Sequence, residues 1–131
     1  MDDSFIDRML IRELYSSYSD AVFQKDKDAW LNCYSDDGVW ILFKKEVRGK
    51  VQLSLKWDET WSLIDRMAFF SEIGKMDINE HSANVRSYCH EIVSYKKGNV
   101  FKVVAQYTDE LTKVDGCWVF SKRDYDLLIK E

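Results

Sequence analysis

The 131-residue chain has no proline, five glycines, three cysteines and two histidines. With no proline, no low-complexity stretch and no repeat, nothing marks a linker. Residues 1–131 therefore read as one domain. Cys33, Cys89 and Cys117 are odd in number and far apart, with no Cys-x-x-Cys. That excludes a disulfide framework and a zinc site and leaves free, buried thiols. Two histidines cannot build a His-rich centre, so neither metal nor cofactor is expected. Net charge is −4, and Lys44–Lys45 and Lys96–Lys97 are isolated pairs. Nucleic acid is excluded as a partner, because neutralising phosphates needs clustered Lys and Arg. No apolar run approaches the ~20 residues of a membrane span. The opening MDDSFIDRML lacks the basic-then-apolar layout of a secretory leader. A cytoplasmic protein with no membrane partner is expected.

Rings are what the chain has in quantity. Five Trp, seven Tyr and seven Phe bring aromatics to 15%. They fill space coarsely and tend to leave a cavity in the core they build.

Ser4-x-x-Asp7 has the form of a capping box. Ile6, Leu10, Leu14, Tyr18, Ala21 and Val22 then form one stripe of a helix reaching about Gln24. Asp26 to Tyr34 reads as a short second helix with Trp30, Cys33 and Tyr34 facing inward. Asp36-Asp37-Gly38 reads as a turn, and Val39–Phe43 as a buried strand. Leu55, Trp57, Trp61 and Ile64 mark a third, irregular helix over about 51–67. Beyond it, glycines punctuate stretches 68–78, 83–96 and 100–127, the last split by Asp115-Gly116. Asp-Gly between strand-like runs signals a tight hairpin, and Lys96-Lys97-Gly98-Asn99 a looser one. Helices first and an antiparallel meander after them give an α+β fold.

Pairing Val114 with Cys117 across the Asp-Gly turn sets Leu111 opposite Phe120 and Asp109 opposite Lys122. Trp118 and Phe120 then share the apolar sheet face with Val103, Ala105, Tyr107 and Asp109. An even loop at 96–99 adds Tyr88, His90 and Ile92 to that face. An odd loop or a bulge brings Cys89 and Glu91 inward instead. The even register is the one adopted here.

The segment IRELYSSYSDAVFQKDKDAWLNCYSDDGVW (11–40) resembles the opening of SnoaL-like proteins of the nuclear-transport-factor-2-like superfamily. Ala105-Gln106-Tyr107-Thr108-Asp109 is similar to their Gly-x-Tyr-x-Asp strand. KVDGCWVFSKRDY (113–125) resembles their closing Lys-x-Asp-Gly-x-Trp-x-Phe-x-x-Arg-x-Tyr hairpin. The resemblance implies a cone: a curved mixed or antiparallel sheet wraps about three N-terminal helices around a central pocket. It also implies a homodimer through the outer sheet face. The superfamily includes polyketide cyclases, dehydratases, an isomerase and the small subunits of ring-hydroxylating dioxygenases. Tyr18 takes the place of the helix Tyr of the dehydratase-like members. Phe23 stands where those members carry Asp, and Phe69 or Phe70 near where they carry His.

His90, beside Tyr107 and Asp109 in the adopted register, is the candidate proton shuttle, with solvent or a core hydrogen bond as its other setting. Asp109 is either a buried acid/base or the ion-pair partner of Lys122. Tyr18, Tyr88 and Tyr107 would orient a substrate oxygen. Trp40, Trp57, Trp61 and Phe23 would line the pocket, though core filling suits each of them as well. Glu91 is the fallback carboxyl. The expected function is binding of a small apolar or aromatic ligand. On it the protein would act as a cofactor-independent lyase or isomerase of an aromatic or polycyclic carbonyl compound. The alternative is a non-catalytic dimeric binding or assembly subunit like those of the dioxygenases.

Overall fold

The computed structural model describes residues 3–131. Helix α1 runs Asp3–Gln24 and α2 runs Lys27–Asn32. Strands β1 (Tyr34–Leu42) and β2 (Lys45–Arg48) precede helix α3 (Gly49–Leu63). Four long strands complete the chain: β3 (Ile64–Ile78), β4 (Ser82–Tyr95), β5 (Val100–Val114) and β6 (Cys117–Lys130). They form one six-stranded sheet in the order β2-β1-β6-β5-β4-β3. Only the β1–β6 pair is parallel, so the sheet is mixed. The helices cover its concave face, as an α+β layer requires. Among the described residues no helix is long and apolar enough to cross a membrane.

Local signals explain most boundaries. Asp26 caps α2 by accepting the Ala29 N–H at 3.1 Å. Asp115 and Gly116 both adopt positive φ, 50° and 79°, which the two-residue hairpin turn demands. Val114 pairs with Cys117 and Leu111 with Phe120, as the turn dictates. Trp118, Phe120 and Tyr107 are all buried on the concave side. The large apolar side chains of the last hairpin therefore close the core.

Several expectations fail for identifiable reasons. The buried stripe of α1 is Ile11, Leu14, Tyr15, Tyr18, Ala21 and Val22, while Ile6 and Leu10 are exposed. Asp7 reaches across to the last hairpin. Its carboxylate receives the Trp118 indole N–H at 2.9 Å and Lys113 Nζ at 3.0 Å, and Ser4 already lies within the helix. The second helix stops at Asn32, so Tyr34 opens β1 instead. Asp36-Asp37-Gly38 is not a separate turn, because it lies inside β1 where the pairing with β6 shifts. Phe43 lies past the strand at φ 50° and is exposed. In α3 the inward residue is Leu53 rather than Leu55, and the chain passes directly into β3 at Ile64. Cys33 and Cys89 are buried free thiols, whereas Cys117 is exposed.

The largest correction concerns Asp109. An extra residue, Ser121, bulges from β6 and anchors itself by donating to the Glu110 carbonyl at 2.9 Å. From there on the parity of β6 flips. Asp109 therefore faces Arg123 instead of Lys122, and Lys122 lies 3.6 Å from Glu110 at the surface. Both Asp109 and Arg123 are fully buried. Arg123 Nε and Nη2 donate to the two carboxylate oxygens at 2.8 and 3.0 Å. Ser87 adds a third bond to Asp109 at 3.1 Å, and Tyr15 a fourth. The guanidinium stacks 3.7 Å from the Tyr107 ring centre and 4.3 Å from that of Phe120. Burial alone would lower the Arg123 pKa. The carboxylate of Asp109 leads the opposing contributions, and on balance the guanidinium stays charged.

Removing one member leaves a buried charge unpaired, which costs about 3–5 kcal/mol. Arg123→Leu and Asp109→Leu should each lower unfolding free energy by about that amount in urea titrations. The double variant should lose clearly less than the sum of the two, since the penalty is shared. Additive losses would show that the two charges do not depend on each other.

Candidate functional site

Between α3 and the concave face of the sheet lies a cavity of about 230 Å³. That is below the size of a typical drug-binding pocket and fits a ring-sized molecule. Trp40, Trp57 and Trp61 line it together with Tyr18 and Phe69 on its floor and with Tyr107, Tyr125 and Glu91. Trp57 packs on Trp61 at 5.6 Å and on Trp30 at 4.9 Å. These contacts hold the wall rings in place.

Strand pairing decides which polar groups reach this space. The hairpin between β4 and β5 has an odd loop: Tyr95 N–H bonds the Asn99 carbonyl and Ser94 pairs with Val100. Cys89 thus pairs with Ala105 and Glu91 with Val103, both on the concave face. The adopted even register is therefore wrong. His90 and Ile92 are exposed on the convex side. Tyr88 lies on that side too, its ring across the β3 bulge at Gly74, where a Cβ would come within 2.9 Å of it. Phe23 is 42% exposed and stacks edge-on against Phe70, outside the cavity. Asp109 is sealed below the cavity floor by Arg123, Tyr15 and Ser87. Of the residues expected at the site, the structure brings together Tyr18, Trp40, Trp57, Trp61 and Tyr107. It does not bring His90, Asp109, Tyr88 or Phe23 to them.

The polar set is built from Glu91 and four ring residues. Tyr125 donates to Glu91 Oε2 at 3.0 Å, and the Cys89 thiol approaches the same oxygen at 3.6 Å. The other oxygen, Oε1, makes no hydrogen bond among the described residues, and Glu91 lines the cavity. Burial raises the pKa of this carboxyl, and the Tyr125 bond opposes the rise only in part. The Trp40 indole N–H donates to the Tyr107 hydroxyl at 3.0 Å. Tyr18 lies on the floor, its hydroxyl 3.4 Å from that of Tyr34. Burial raises the Tyr18 and Tyr107 pKa values, so both phenols stay protonated as donors. A carboxyl with one free oxygen beside protonated phenols can move a proton and hold an oxygen. Among the described residues no three His, Cys, Asp or Glu converge as a metal would need.

Sequence reasoning ranked Glu91 behind His90 because loop parity had to be guessed. Tyr125, on the cavity side of the second hairpin, was missed. Its position depends on the Ser121 bulge, which no residue pattern announces.

A SnoaL-like domain model matches residues 3–124. The chain belongs to the SnoaL-like family. Comparison with the curated proteins finds no match. Solved structures agree in fold. A protein from Novosphingobium aromaticivorans, assigned provisionally as a scytalone dehydratase, superposes with a TM-score of 0.92 at 20% identity. That match covers 99% of this chain and 89% of the other. A hexachlorocyclohexane dehydrochlorinase from Novosphingobium barchaimii gives a TM-score of 0.88 at 17% identity, over 98% and 91% of the two chains. A provisionally assigned aromatic ring hydroxylase from N. aromaticivorans gives 0.88 at 21% identity, over 95% and 91%. At these identities the likeness is one of fold.

The raised pKa of Glu91 has a measurable sign. The folded chain holds a proton that the unfolded chain releases between the ordinary value of 4.5 and the higher folded one. The stability contributed by Glu91 is complete below the ordinary value and is lost as pH rises through the folded one. Glu91→Gln keeps a neutral acceptor for Tyr125. In thermal melts it should match the parent near pH 4 and gain on it as pH rises above the ordinary value of 4.5. A pH-independent difference would contradict a raised Glu91.

Proposed function

We propose that this SnoaL-like protein binds a small aromatic or alicyclic carbonyl compound in its cavity and acts on it as a lyase or isomerase. The observation that carries the reading is the free Oε1 of Glu91 in an aromatic cavity, with its twin oxygen held by Tyr125. Glu91, as carboxylate, would take a proton from carbon adjacent to the carbonyl. Tyr107, steadied by the Trp40 indole, would donate a hydrogen bond to the carbonyl oxygen as negative charge gathers there. Tyr18, on the floor, would hold the far side of the ring. Returning the proton at another carbon gives isomerisation. Expelling a leaving group from the neighbouring carbon gives elimination. Both need only acid–base groups, and the water-poor aromatic wall strengthens each polar contact. The dehydratase and dehydrochlorinase names among the structural neighbours accord with an elimination.

The non-catalytic alternative draws on one observation. Phe69, near the expected His position, is buried among the rings, and Phe23, at the expected Asp position, points outward. A homodimer through the convex face belongs to either reading and would cover Phe70 and Ile92, both exposed. Sedimentation of the purified chain tests it.

A panel of cyclic ketones and hydroxyketones, followed by tryptophan fluorescence and by proton exchange in deuterated water, tests the main reading. Ligands should quench Trp40 or Trp57 and exchange the proton adjacent to the carbonyl. Glu91→Gln should bind comparably but slow exchange by about 10²–10⁴-fold. Tyr107→Phe should slow it less. Binding without exchange by the parent would favour the non-catalytic class, and exchange undiminished in Glu91→Gln would remove Glu91 from its role.

A further inference from the structure

The last turn of β6 breaks the hydrophobic logic of the chain. Leu128 and Ile129 are about half exposed, while Lys130 lines the aromatic cavity. The cause is a second bulge. Ala105 pairs with Leu127 but Val104 with Ile129, so Leu128 is the extra residue. Without that bulge the alternation of β6 would turn Ile129 inward and Lys130 out. Instead two aliphatic side chains face water, and a lysine, itself exposed, lies against a ring of the cavity. Bulges recur next to functional sites because they re-aim one side chain, and a local rule broken without a stability gain points to function.

The lysine is also uncommitted. Its Nζ sits 4.3 Å from the Phe101 ring centre, and it forms no ion pair with any described residue. Among the described residues it is the one cation lining the cavity. Its place relative to Glu91 follows from the ladder. Val103 pairs with Glu91 on one side and with Lys130 on the other. Glu91 and Lys130 thus share one row of the concave face, two strand spacings or about 10 Å apart at Cα.

We propose that Lys130 is an anion-recognition residue at the cavity mouth, and that the natural ligand is a ring compound bearing a carboxylate. The ring would lie among Trp40, Trp57 and Phe69. The carboxylate would meet Lys130, leaving the reacting carbon at the other end of the row, toward Glu91. This rests on the ligand-binding reading above and narrows its substrate class.

The test uses the full-length protein and two matched probe pairs, trans-cinnamate with cinnamamide and 2-naphthoate with 2-naphthamide. Binding is followed by tryptophan quenching at pH 7.5. Each acid should bind about five-fold or more tightly than its amide, and the preference should shrink as salt is raised. Lys130→Met keeps the apolar stem and should abolish the preference while leaving amide affinity unchanged. Lys130→Glu should invert it. Equal affinity for acid and amide in the parent, or a preference that survives Lys130→Met, would overturn the inference and leave the cavity reading standing. If neither acids nor amides quench the cavity tryptophans, the cavity reading falls and this inference falls with it.

Discussion

Two opposite charges meet under the cavity floor, and neither has access to water. Arg123 and Asp109 are joined through both carboxylate oxygens, with Ser87 and Tyr15 on the same carboxylate. Such a pair gains little over a well-packed apolar one, but it is unforgiving of misplacement. It ties β4, β5, β6 and α1 together at one point, since its four members come from those four elements. The guanidinium plane also carries the rings of Tyr107 and Phe120, with Tyr18 at 4.5 Å. The aromatic floor of the cavity therefore rests on a charged base. Rings alone can slide and repack; a bidentate ion pair under them sets one arrangement.

Register devices do the rest of the placement. The Ser121 bulge puts Arg123, Tyr125 and Leu127 on the concave side, and the Leu128 bulge puts Lys130 there. The odd loop between β4 and β5 does the same for Cys89 and Glu91. Each moves a side chain across the sheet by one residue of slip, which is the largest effect so small a change can have. The polar equipment of the cavity is delivered by these irregularities, and the apolar walls by the regular alternation around them.

The resulting site differs from the acid–base pair that the family likeness suggested. Phe23 packs on Phe70 outside, and Phe69 belongs to the floor. Among the described residues, the one carboxyl that reaches the cavity comes from β4, opposite Val103, and is steadied by a tyrosine of β6. A shared cone thus carries its candidate proton-transfer group in another place, in keeping with function residing in sites grafted onto folds.

Composition and periodicity alone determined the α+β class, the Asp-Gly hairpin and the inward faces of β5 and of early β6. They did so because a tight turn fixes the pairing next to it and a buried face demands alternation. The aromatic wall of Trp40, Trp57 and Trp61 was legible for a similar reason: large rings must be covered. The partner of Asp109, the choice of Glu91 over His90, and the inward turn of Lys130 were decided only by tertiary structure. Each depends on where one extra residue is accommodated in a ladder. That choice reflects the packing of the whole sheet against the helices, and a local stretch of sequence does not contain it.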